Sequence, residues 1–217
     1  MTAGAATPVL GLHVLADDDP RWALDPVAQA RAACLGGTQV VQLRAKHATD
    51  RQVLAWAAAI RAITRRYRVV FFMNDRFDLA LAAGADGVHL GQDDLPPGRL
   101  PQRARRRLRV GLSTHSTEQV RAACAQEVDY VAYGPIFATP TQEKAGEGRG
   151  LEALSEAARL AAPLPLVAIG GIDAERARRV VEAGAAGLAV ISAVAAAPDP
   201  VAATRALARW FAAGADR

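Results

Sequence analysis

One segment pattern recurs along this chain and restricts its fold more than any other feature. An alanine-rich amphipathic stretch ends in a glycine or another small residue, and a short β-branched run follows. It reads AACLGGTQVVQLR at 32–44, LAAGADGVHLG at 81–91 and AAGLAVIS at 185–192, with a looser copy, AQEVDYVAYG, at 125–134. Each copy is the helix-to-strand half of a βα unit. Marking every such run predicts strands over 9–15, 39–43, 69–73, 87–90, 109–112, 129–133, 165–169 and 187–191. Helical periodicity predicts helices over 26–35, 50–65, 76–83, 116–126, 151–161, 173–183 and 199–213. Between the fourth and fifth strands, Pro96, Pro97 and Pro101 break the helical pattern. Runs such as Leu166-Val167-Ala168-Ile169 are apolar on both faces, as parallel strands covered by helices are. The expected fold is a single-domain (β/α)8 barrel of the α/β class, with 1–8 as a flexible N-terminal tail and 9–217 as the barrel. A doubly wound open sheet competes with it. That fold ordinarily uses fewer strands and a Gly-rich turn after the first, and no such turn follows His13-Val14-Leu15.

Composition narrows the function classes. The 217 residues are 51% hydrophobic and 22% charged, which excludes a disordered chain. No run of 18 apolar residues is present to cross a membrane. Met1 to Val9 lacks a basic segment followed by an apolar one, so a cytoplasmic protein is expected, with Cys34 and Cys124 as reduced thiols. The densest basic run, Arg103 to Arg109, carries no interleaved aromatics and reads as a solvated face rather than a nucleic-acid surface. The net charge of +4 suits small anionic substrates instead. Homo-oligomerisation is left open. Of 26 basic residues, 24 are arginine. Where this chain writes lysine, at Lys46 and Lys144, a compact ammonium is the expected requirement.

A barrel builds its active site at the C-terminal ends of its strands. Strand two ends in Gln42, Arg44 and Lys46, and strand three in Asn74-Asp75-Arg76. Strand four ends in His89, Gln92, Asp93 and Asp94, and strand five in Ser113, Thr114 and His115. Strand six runs into a loop from Gly134 to Gly150 that holds Thr139, Thr141, Gln142 and Lys144. Strand seven ends in Gly170-Gly171 and strand eight in Ile191-Ser192-Ala193. Paired glycines before a helix predicted to start at Asp173, closed by Ser192, suit a phosphate. A plain left-handed turn is the competing reading. Asp75 and Asp94, or Asp93 in its place, close neighbouring strands as hard oxygen ligands for Mg²⁺. Against this, Asp75 could simply cap the next helix. Arg44, Lys46 and Lys144 would supply cations for a further phosphate group, or simple surface ion pairs. His89 reads as a buried, satisfied histidine, and His115 as the histidine best placed for chemistry. The residues thus predict transfer or elimination on a phosphorylated or pyrophosphorylated small molecule.

The strings VVQLRAK (40–46), MNDRFDLALAAGADGVHLGQDDLP (73–96), GLSTHS (111–116), YGPIFATPT (133–141) and VAIGGIDAERARRVVEAGAAGLAVIS (167–192) together resemble the thiamine phosphate synthase family. The resemblance spans about 9–200. It implies that a pyrimidine diphosphate loses pyrophosphate and that the pyrimidine methyl cation is captured by the nitrogen of a thiazole phosphate, giving thiamine phosphate. It also implies site roles. Gln42, Arg44, Lys46 and Asn74 would bind the pyrimidine diphosphate, Asp75 and Asp94 would hold Mg²⁺, and Ser113 would touch pyrophosphate. Thr139, Thr141, Gly171, Ile191 and Ser192 would bind the thiazole phosphate. The family usually places a lysine directly after the T-x-T of the sixth loop, where this chain has Gln142. Lys144, two residues on, is the expected substitute. Thiazole tautomerases share this barrel, need no Mg²⁺ and could use His115 as acid or base. A non-catalytic thiazole-phosphate-binding barrel is the third alternative. Retention of the acidic pair and the diphosphate set favours the synthase.

Overall fold

A computed structural model describes residues 10–139 and 147–211. Its strands are β1 (Gly11–Asp17), β2 (Val40–Arg44), β3 (Val70–Asn74), β4 (Gly87–Leu90), β5 (Arg109–Thr114), β6 (Tyr130–Tyr133), β7 (Leu166–Ile169) and β8 (Gly187–Val190). They pair in parallel, each with the next, and β8 returns to β1 to close the barrel. The α-helices between them are α1 (Pro26–Gly36), α2 (Asp50–Tyr67), α3 (Phe77–Ala83), α4 (Gln102–Arg105), α5 (Thr117–Cys124), α6 (Gly150–Ala161) and α7 (Ala177–Glu182). A short α8 (Ser192–Ala195) and then α9 (Pro200–Ala208) follow β8. Among the described residues no helix is long and apolar enough to cross a membrane.

Four of the helices, α1, α2, α5 and α9, begin where the chain supplies a side-chain cap. Asp25, Thr49, Ser116 and Asp199 each accept a backbone N–H from the first turn of the helix that follows. Strand entry has its own device. Asp86, just before β4, accepts the N–H of Phe71 at 2.8 Å and a bidentate grip from Arg61 of α2 at 2.7 and 2.8 Å. Asp129, just before β6, accepts the N–H of Val110 at 2.6 Å. In these two copies of the small-residue motif the aspartate therefore ties the new strand to its neighbour at the barrel floor.

Side chains alternate across each strand with period two. Outward residues such as Val41, Leu43, Val88 and Val110 pack against the helices in one large core. Inward residues, among them Leu15, Val40, Phe72, Tyr130, Val167 and Ala189, form a second, smaller core inside the barrel. The same parity carries upward to the mouth. Asp17, Arg44, Asn74, His89 and Ser113 stand on the inward register of their strands, above that plug.

Several boundaries differ from the sequence reading. β1 runs two residues beyond the expected end, to Asp17, because period two places this acid inside the barrel. β5 continues to Thr114, so Ser113 belongs to the strand itself. The helix expected from Asp173 begins at Ala177. Asp173 instead caps a turn, accepting the N–H groups of Glu175 and Arg176 at 3.1 and 2.9 Å. Asp75 does not cap α3, whose N-cap is Arg76 without a side-chain bond. The Arg103–Arg109 run covers α4, a turn and the first residue of β5, and Arg105 pairs with Glu127 at 2.9 Å. Cys34 is buried and Cys124 half-buried, both as free thiols. Burial pushes the Cys34 thiol up to about 12, which keeps it protonated and inert.

Candidate active site

A cavity of about 1230 Å³ opens at the C-terminal ends of β1 to β6. Arg44, Lys46, Asn74, Asp75, Asp94 and Ser113 all line it. The sequence reading therefore brought the diphosphate and metal candidates to one place. Gln42 lies deeper. It is 3% exposed, and its Oε1 has no hydrogen-bond partner among the described residues. Thr141, Gln142 and Lys144 fall outside the described residues.

Arg44 and the turn that carries Lys46 are held by acids that sequence reasoning passed over. Asp17 is 1% exposed. Its carboxylate pairs with the Arg44 guanidinium and accepts from Trp22 Nε1 at 2.8 Å and from the Asp19 N–H at 2.9 Å. A buried carboxylate persists only when paired and hydrogen-bonded in this way. Asp18 grips the following turn, accepting the N–H groups of Lys46, His47 and Ala48 at 2.7, 2.9 and 2.8 Å. Strict alternation through His13, Leu15 and Asp17 was the signal that could have found the first of these acids.

Lys46 Nζ forms an ion pair with Asp75. Asp75 adopts a left-handed backbone, φ +61°, and its N–H donates to the His89 carbonyl at 2.7 Å. Left-handed backbone in a non-glycine residue costs energy and recurs at functional sites. Asp94 accepts the Gly91 N–H on Oδ2 at 2.6 Å. Burial first, and then the neighbouring charge of Asp75, raise the Asp94 carboxyl above the usual range, against the pull of Lys46. Two neighbouring carboxylates on a cavity wall fit a divalent cation. Among the described residues, no third histidine, cysteine or carboxylate joins them. A metal held by this pair would have to draw the rest of its coordination shell from phosphate and water, as Mg²⁺ can.

His89 is buried and satisfied at both ring nitrogens, by Tyr130 at 2.7 Å and Ser113 at 2.8 Å. Burial depresses its pKa to about 4. His115 also lines the cavity, with Nδ1 2.8 Å from the Gly134 carbonyl.

Thr139, Gly170, Gly171, Ile191 and Ser192 line a second, tight cleft of about 30 Å³. Gly170 and Gly171 both take positive φ, +101° and +62°. The cleft lies between the β7 turn and the start of α8, whose first N–H groups have no acceptor within the helix. The helix expected directly behind the glycine pair starts further along the chain, at Ala177, so α8 takes that place.

A sequence profile described as thiamine monophosphate synthase matches residues 12–194. The chain is 44% identical to the thiamine-phosphate synthase of Chlorobium phaeovibrioides, over 91% of this chain and 92% of that one. It is 45% identical to that of Anaeromyxobacter dehalogenans, over 99% and 93%. The solved thiamine phosphate pyrophosphorylase of Pyrococcus furiosus superposes with a TM-score of 0.81 at 37% identity, covering 91% of this chain and 93% of that one. The chain belongs to the thiamine monophosphate synthase family.

Proposed function

We propose that this chain joins 4-amino-2-methyl-5-hydroxymethylpyrimidine diphosphate to 4-methyl-5-(2-hydroxyethyl)thiazole phosphate, releasing pyrophosphate. The observation that carries the reading is the cavity wall on which Arg44, Lys46, Asn74, Asp75, Asp94 and Ser113 converge. It offers cations and hydrogen-bond donors for a diphosphate beside an acidic pair for a metal. The Oε1 of Gln42, without a partner among the described residues, would supply an acceptor for the pyrimidine amino group.

The chemistry asks little of a nucleophile. The bond between the pyrimidine methylene and the diphosphate oxygen breaks with its electron pair on oxygen. The thiazole nitrogen then gives its lone pair to the methylene cation. Arg44, held rigid by Asp17, and Lys46, held by Asp18 and Asp75, would neutralise the charge that grows on the departing pyrophosphate. Asp75 and Asp94 would hold Mg²⁺, whose contribution when bound is further neutralisation of that charge. The glycine-lined cleft would fix the thiazole phosphate, so that the nitrogen waits in line with the breaking bond.

Purified protein given both substrates is expected to make thiamine phosphate with Mg²⁺ and to stop when a chelator removes it. No thiamine phosphate, but isomerisation of thiazole carboxylate phosphate, would identify a tautomerase instead. Neither activity, with tight binding of thiazole phosphate, would identify a binding barrel. Lys144→Ala is expected to lower turnover by ~10- to 100-fold, the effect of losing one hydrogen bond to a charged group, worth ~1.5–3 kcal/mol. Unchanged turnover would remove Lys144 from the site and leave Gln142 as the group at that position.

A further inference from the structure

From the barrel interior a chain of polar atoms runs up to the large cavity, which His89 and Ser113 line at its upper end. Tyr130 Oη of β6 lies 2.7 Å from His89 Nδ1 of β4, and His89 Nε2 lies 2.8 Å from Ser113 Oγ of β5. The tyrosine is 1% exposed. His13 and Phe72 meet its ring edge-on, at 5.4 and 5.8 Å between centroids, and His89 stacks on it at 5.4 Å. Gly111 closes the slot. A Cβ there would stand 2.2 Å from Tyr130 Cζ and 2.5 Å from Oη. The hydroxyl therefore has one position.

Hydrogen bookkeeping then sets the direction of the chain. Among the described residues, His89 Nδ1 is the hydrogen-bond partner of the Tyr130 hydroxyl. If that hydroxyl accepted from Nδ1, its own hydrogen would be stranded in the core, at about 1–3 kcal/mol. It donates instead. Nδ1 then carries no proton, and the imidazole holds its N–H at Nε2. That N–H donates to Ser113 Oγ. The serine accepts from below, and its own hydrogen is left for the cavity that Ser113 lines. The opposite tautomer would draw the serine hydrogen inward and turn lone pairs toward an anion.

We propose that Tyr130 is a positioning residue: through His89 it holds Ser113 as a hydrogen-bond donor to an anionic substrate group. The proposal rests on the reaction above only in taking that anion to be the diphosphate.

Two measurements test it. Long-range ¹H–¹⁵N correlation spectra of the protein, with the His89 signals assigned by their loss in His89→Gln, report the ring tautomer without any substrate. Protonation at Nε2 is expected, and protonation at Nδ1 overturns the proposal. The second test is kinetic. Tyr130→Phe keeps the ring and loses the hydroxyl. It is expected to lower kcat ~10-fold, as for a weakened transition-state donor, with the KM for thiazole phosphate unchanged. In a Ser113→Ala background the same substitution is expected to change kcat by less than about 2-fold, because the donor is already gone. An equal loss in both backgrounds, or unchanged kcat in Tyr130→Phe alone, overturns the proposal. If Tyr130→Phe does not fold, the tautomer of the unaltered protein still decides. Failure of the unaltered protein to make thiamine phosphate would sink the proposed reaction while leaving the tautomer result intact.

Discussion

Asp94→Asn is expected to lower Mg²⁺-dependent turnover at least ~100-fold, since a metal that neutralises a leaving group supplies several kcal/mol. The substitution keeps an oxygen that can accept the Gly91 N–H, now bonded to Asp94 Oδ2 at 2.6 Å, so the loop has no reason to collapse. What disappears is one of two charges on the metal face. Excess Mg²⁺ should recover part of the loss, because Asp75 remains. Asp93→Asn is the control and should stay near the unaltered rate. If Asp93→Asn is crippled and Asp94→Asn is not, the ligand is Asp93.

The same residue predicts a pH effect of defined sign. Burial and Asp75 raise the Asp94 carboxyl above its ordinary value. The folded protein therefore takes up this proton at higher pH than the unfolded chain does. Ionised Asp94 costs the metal-free fold stability, and the cost disappears as pH falls through the raised value. At neutral pH, Asp94→Asn without metal is accordingly expected to raise the thermal midpoint slightly while abolishing most activity. A lower midpoint would show that the carboxylate supports the loop rather than straining it.

The barrel was legible because its signal is repeated. A helix-period stretch followed by a small residue and a β-branched run recurs often enough that one ambiguous copy does no damage. Ends of elements were harder to read. Asp17 looks like the start of an acidic loop, D-D-D-P, yet it is the last inward residue of β1 and the counter-ion of Arg44. Composition alone treats a buried acid as a solvated one, and only period two counted from His13 distinguishes them. The helix expected at Asp173 starts instead at Ala177 because Asp173 spends its side chain on a turn. The cleft beside Gly171 therefore meets α8, an element too short for periodicity to reveal. The direction of the Tyr130–His89–Ser113 chain was beyond any linear reading, since it joins three strands. That His89 is buried and satisfied could be anticipated from the apolar strand around it.

The second large effect falls on the other substrate. Gly171→Ala is expected to raise the KM for thiazole phosphate ~10- to 100-fold, the range set by losing 1.4–2.8 kcal/mol of binding, while the KM for the pyrimidine diphosphate moves little. Gly171 has φ +62°, and a Cβ there would lie 2.8 Å from the Ala138 carbonyl oxygen and 2.8 Å from Phe137 Cβ. Those atoms have little room to retreat. Arg176 stacks on the Phe137 ring at 4.8 Å and donates Nη1–H to the Gly171 carbonyl at 2.7 Å. The added methyl must therefore push the Phe137–Thr139 segment outward, and Thr139 lines the same cleft. Backbone strain alone costs about 1–2 kcal/mol and would lower the thermal midpoint by a few degrees in a chain of this length. Gly84→Ala separates that strain from the steric effect. Gly84 also has φ +62°, but nothing stands within 4 Å of its would-be Cβ. It should cost similar stability and leave both KM values unchanged. If Gly171→Ala raises both KM values together, the cleft and the large cavity act as one binding site, and the assignment of a separate thiazole-phosphate subsite to Gly171 and Ser192 fails.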